Sequence, residues 1–400
     1  MKAFAAVRGD GRVITWGDGP SGGDSSQVME ELHDVWHIQA TDGAFAAVRN
    51  DGSVVSWGHP SHGGDSRHVQ EQLRDVQQIQ GNKGAFAAIL SNGKVVTWGD
   101  PKRGGDCRSV TADLVGVHCI RASKGAFAAI RADGSVITWG YARVGGDSSS
   151  VQDLLHGVAQ ISATEGAFAA ILANGSVVTW GEERFGGDSS GVQQDLTEVH
   201  QIQASKGAFA AIKEDGTVVT WGDPKRGGDD SYVYDQLRDV KQVEASAGAF
   251  AAILGNGSVV TWGYSGAGGD SRDVQHQLQD VRRIHASAGA FAAVCSDGSL
   301  VTWGHTHMGG DSSVVQEQLR RTSFAIWSHV AAMVYGCLWQ VYGIAANLQA
   351  VEVMQLLPAL KPRTISKVFD SHVDELCLLV ACCALLLVLP SWSMLGEVPW

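Results

Sequence analysis

The chain has 400 residues, 44% hydrophobic and 18% charged, which excludes a solvated, disordered polymer. Fifty glycines against eight prolines exclude collagen, which needs Gly at every third position, and point to many tight turns. The formal charge is −12; residues 320–400 hold five basic and five acidic side chains, so residues 1–319 carry the whole excess and no nucleic-acid partner is expected.

One unit repeats along the chain. Trp16, Trp57, Trp98, Trp139, Trp180, Trp221, Trp262 and Trp303 are each 41 residues apart, with no insertion or deletion across eight copies. Phe4 to Phe291 and the aspartates of Gly-Gly-Asp, Asp24 to Asp311, keep the same step. In the fourth unit Gly125–Arg131 (GAFAAIR) and Ser135–Gly140 (SVITWG) read as two strands. Asp133-Gly134 between them predicts a hairpin with a type I′ turn, and every unit has Asp-Gly or Asn-Gly there. Phe127 and Ala129 point to one side of the sheet, Ala126, Ala128 and Ile130 to the other. Both faces are therefore apolar, as in stacked blades, and small alanines let neighbouring sheets approach closely.

Four irregular residues follow each Trp-Gly, then Gly-Gly-Asp, then a short amphipathic piece such as Val274–Leu278, which predicts a helical turn with Asp270 or Ser271 near its N-cap. Ser190 with Gln193, and Ser313 with Gln316, have the spacing of capping boxes. A further strand, as in Val199–Ser205, leads into the next hairpin. The eight Trp residues are expected in the core between blades, because a ligand groove would need only one or two.

Repetition stops near residue 320. Residues 322–351 carry no charged side chain, and 376–389 are apolar throughout. Lengths of this order suit a hydrophobic helical tail, with candidate membrane-embedded segments at 330–351 and 376–395 or two helices buried on the repeats. The expected domains are 1–321, the repeats, and 322–400, the tail.

The strand, GAFAAIL, Asn-Gly, SVVTWG and GGD of Val240–Asp270 resemble the repeat of the regulator-of-chromosome-condensation (RCC) family, over about 320 of the 400 residues. The resemblance implies an all-β, closed β-propeller of seven to eight blades, of the kind also found in HERC-family ubiquitin ligases. The family's His after the first Gly is replaced by Ala-Phe here, as at Ala44-Phe45. With eight units and no strand before Phe4, residues 322–328 are the candidate to supply the missing strand and fasten the ring.

No catalytic motif is present, so no enzyme activity, cofactor or metal is expected. Gly17–Gly22 matches a nucleotide-loop pattern that other units break at Pro60 and Pro101, and the Gly-Gly-Asp carboxylates read as caps. Seven scattered cysteines without a Cys-x-x-Cys pair read as reduced thiols. With no signal-like apolar run in MKAFAAVRGDGRV, the expected location is intracellular, either cytoplasmic or membrane-associated.

The residues after Trp-Gly differ most: DGPS, HPSH, DPKR, YARV, EERF, DPKR, YSGA and HTHM. They are either a binding face or positions that nothing constrains. Lys102, Arg103, Arg143, Arg184, Lys225 and Arg226 would form a run of cations over consecutive units. The leading expectation is a non-catalytic protein-interaction scaffold that takes an acidic segment there. The alternatives, by resemblance, are guanine-nucleotide exchange on a small GTPase or a ubiquitin-ligase-associated module; a third is a membrane-anchored adaptor.

Overall fold

The computed structural model describes residues 3–316, and the tail with its expected helices and membrane segments lies outside them. Within the described residues each unit forms one antiparallel sheet, eight in all. Seven sheets have three strands and, among the described residues, the first has two, Ala3–Val7 and Val13–Gly17. Sheet 4 is representative. Its inner strand Val117–Ala122 pairs with the middle strand Ala126–Arg131, which pairs with the outer strand Val136–Gly140. A bulge at the start of the inner strand shifts the register between Ile130 and Arg131.

Middle strands are buried on both faces, and the alternation of Phe and Ala decides what meets what. Phe127, Ala129 and Trp139 pack on Ala85, Ala87 and Ile89 of the preceding sheet. Ala126, Ala128 and Ile130 face Phe168, Ala170 and Trp180 of the following one. Phe127 sits directly opposite Trp139 in the register, and their rings stack with centroids 5.3 Å apart. The indole N–H of each later Trp donates to a carbonyl 35 residues earlier, such as Trp139 Nε1 to Gly104 O at 3.0 Å. Each joint between sheets thus combines an apolar core with a satisfied polar group.

Seven such cores join the eight sheets. Closure into a ring would require an eighth, covering Phe4 and Trp16. Among the described residues there is none: Phe4 is 61% exposed and Trp16 50%, with Ile14 beside them. The described residues form an open array of eight sheets, and residues 322–328, expected to complete the first one, lie outside them.

Two local expectations change. The hairpins are not type I′, since positive φ occurs only at their glycines, as at Gly52 with φ 76°. The loop closes over three residues, with Gly52 N donating to Arg49 O and Arg49 N to Ser53 O, so only the last loop residue must be left-handed. The Gly-Gly-Asp carboxylates do not cap helices. Each accepts a backbone N–H two residues on, such as Asp270 Oδ1 from Arg272 N. The expected capping boxes are absent too, because the glutamines are used elsewhere. Gln193 accepts from Ser189 Oγ and donates to Val177 O on the outer strand's free edge, and Gln316 donates to Leu300 O.

Candidate binding surface

Inner-strand ends, middle-strand starts and the residues after Trp-Gly all lie at one edge of the array. Each variable loop is a 3-10 turn ended by a left-handed Gly, such as Pro101–Arg103 before Gly104. Its first residue is tied to the turn between inner and middle strands: Tyr141 N donates to Gly125 O, and Glu182 N to Gly166 O, both at 2.8 Å. Its last residue is held by a small side chain from that same turn. Ser123 Oγ donates to Val144 O, Thr164 Oγ1 to Phe185 O and Ser205 Oγ to Arg226 O. The turns are also bonded to one another, from Asp42 N to Lys83 O and onward unit by unit to Ala247 N and Ala288 O. Variable sequence is thereby mounted on a fixed frame.

The six expected cations do fall on this edge, but four are held by carboxylates. Arg103 pairs with Asp100 in its own loop at 3.1 Å. Arg143 reaches Glu182 of the next loop at 3.2 Å, and Arg184 reaches Asp223 at 3.5 Å. Buried Asp223 also takes Arg226. The rule is geometric: the third residue of a loop lies beside the first residue of the next. For Lys102 and Lys225 that neighbour is Tyr141 or Tyr264, 52% and 60% exposed, which offers no carboxylate. These two lysines form no ion pair among the described residues. The continuous run of free cations is therefore reduced to two equivalent Lys–Tyr stations, three units apart.

Nearer the inner strands, Glu165 binds Lys83, two units earlier, at 3.6 Å and Lys206, one unit later, at 3.4 Å. Lys124 sits over the Phe185 ring and reaches Glu182 at 3.9 Å. Sequence reading passed over these turns, although the Thr, Asn or Ser that holds each loop (Thr41, Asn82, Ser123 and onward) repeats with the 41-residue step.

Elsewhere the exposed Gly-Gly-Asp carboxylates titrate low. Arg67 beside Asp65, and Arg108 beside Asp106, hold these groups at about 2. Backbone and side-chain hydrogen bonds from the Ser two residues on lower Asp147, Asp188 and Asp311. Groups depressed on folding add stability that is complete above the unfolded carboxylate range and is lost as pH falls through the folded values. Thermal denaturation should therefore show a flat Tm in the pH range above about 5 and a progressive fall between about pH 4 and 2. A Tm that rose on acidification through that window would contradict the assignment.

No protein-family model matches the chain, and no curated protein matches it. Among solved structures it is similar to Prp20p from Saccharomyces cerevisiae, at 17% identity and a TM-score of 0.38, covering 61% of this chain and 75% of that one. It is similar to a structure of Kap60 bound to yeast RCC1 (Prp20), at 16% identity and a TM-score of 0.40, covering 74% of each chain. Its solved neighbours include RCC1-type propellers. Human WBSCR16 is another similar structure, at 15% identity and a TM-score of 0.37, covering 56% of this chain and 74% of that one. The all-β architecture is that of the sheets themselves.

Proposed function

We propose that this array is a non-catalytic protein-interaction scaffold whose loop edge receives an acidic protein segment at Lys102 and Lys225. The observation that carries this reading is the pairing pattern: every other expected cation on the edge is neutralised, while these two are exposed on loops fixed at both ends. The repeat position that supplies a carboxylate to Arg143 and Arg184 is exposed Tyr141 or Tyr264 for them. Each station offers a point charge and an amphipathic ring, which suits a carboxylate-bearing, extended chain. Prp20p has described binding properties to Gsp1p and histones. Exchange and ligase-linked roles rest on resemblance alone.

The test uses the full chain and a fluorescent peptide of about twelve residues rich in Glu. Anisotropy should show weak binding that falls as salt rises, since exposed charges are screened within about 10 Å at 0.1 M. The double variant Lys102→Glu with Lys225→Glu should lose affinity at least about tenfold, with Tm unchanged because exposed charges away from caps shift stability little. Equal affinity in the variant would reject the loop edge as the binding surface.

A further inference from the structure

We infer that the wall formed by consecutive inner strands holds a second, separate site, one that takes a small polyhydroxylated oxyanion such as a sugar phosphate or sugar acid. A cavity of about 530 Å³ opens there, bordered by Gln80, Arg121, Gln160, Ser162, His200 and Gln203 from four successive strands. Its volume falls within the range of about 300–1,000 Å³ usual for small-molecule sites. Its chemistry is unlike that of the cores between sheets: the lining is amide, hydroxyl, imidazole and guanidinium, with only Ala and Ile between them.

Charge gives the site its sign. Among the described residues, Arg121 is the one Lys or Arg in the lining, and no Asp or Glu shares the cavity with it. It forms no ion pair among the described residues, and its Nη1 donates only to its neighbour's carbonyl, Ile120 O at 3.3 Å. Backbone acceptors along the wall are partly consumed in the same way. Gln80 Nε2 donates to Gly81 O, and Ser162 Oγ donates to Ile202 O in the next unit at 2.8 Å. What remains is a donor-rich surface with a planar cation that can bind a carboxylate or phosphate through two parallel hydrogen bonds. Amide side chains both donate and accept, as vicinal hydroxyls require of a partner.

The repeat supplies an internal control. At the place of Arg121 other units carry Gln39, Gln80, Ser162, Gln203, Glu244 and His285. Folding of the unit therefore does not need a cation there, and the guanidinium is left to serve a ligand.

Arg121→Gln installs a side chain that three other units already tolerate, so the full-length variant should keep its Tm and circular dichroism. Titration calorimetry with glucose 6-phosphate, gluconate and glucose then separates the contributions. Saturable binding of glucose 6-phosphate or gluconate is expected, with a Kd on the order of 1 mM or tighter. Arg121→Gln should weaken it at least about tenfold, and glucose should bind at least about tenfold less well than the anions. The preferred anion tells phosphate from carboxylate. The proposal fails if neither anion saturates, if Arg121→Gln binds as the native chain does, or if glucose binds equally well. Lys102→Glu with Lys225→Glu should leave this binding intact, so failure here and failure of the loop-edge reading are distinguishable.

Discussion

Replacing Trp139 by Ala should lower stability by about 3–5 kcal/mol, the range for truncating a large buried aromatic. Its ring is only 3% exposed, stacks on Phe127 and contributes to the core shared with the preceding sheet. Truncation also leaves Gly104 O without its indole donor, which adds to the loss. Trp16 occupies the same place in the repeat yet is half exposed, and among the described residues no carbonyl accepts from its indole. Trp16→Ala should therefore cost less than about 1 kcal/mol. Denaturant unfolding of both variants is the measurement. Equal losses would mean that residue 16 is covered in solution, and that the first sheet has a partner.

The second large effect is expected at Gly104, where Ala should cost about 2–4 kcal/mol. Two terms contribute. Backbone φ is 90°, left-handed territory that disfavours any Cβ. The added methyl would also stand 2.7 Å from Phe127 Cδ2 and 3.1 Å from the Trp139 indole nitrogen, so the joint between sheets 3 and 4 must open. Gly309 separates the terms. Its φ is 102°, but a Cβ there meets nothing within 4 Å, because no later sheet packs on it among the described residues. Gly309→Ala should show the backbone cost alone, at about 1 kcal/mol. If both substitutions cost the same, the tight packing at Gly104 is not what constrains it.

Much of this architecture can be read directly from the 41-residue step. Period-two alternation around Phe127 and Ala128 identifies which side chains face each neighbouring sheet, and the invariant Trp marks the joint. Turn details are less legible, because Asp133-Gly134 fits either a two-residue or a three-residue loop and only backbone pairing distinguishes them. The aspartates before the short helical turns look like caps, yet none is the N-cap residue itself. Their carboxylates accept two residues on, at Ser149 and Ser190 ahead of the turn and at Ser26 or Arg67 on its first residue. Cation count misled most at the candidate site. Arg143 and Arg184 meet carboxylates 39 residues later, and that spacing is two short of the repeat. The offset is visible in the sequence once the third position of one loop is set beside the first of the next. Arg121 gave no signal by itself, since its importance lies in what the cavity around it lacks.

Every joint in the array uses nearly the same pair of surfaces: a Phe–Trp stack on one side, alanines and a branched residue on the other. Excising 41 residues from the interior would bring together two faces already complementary, and duplicating them would do the same. Among the described residues, nothing in the geometry of a single joint sets the number of copies. Each added copy contributes one more joint and one more increment of ordering entropy, in near-constant proportion. What cannot be moved freely is the spacing between Lys102 and Lys225: losing or gaining a unit between them would change the distance a partner must bridge while leaving each station intact.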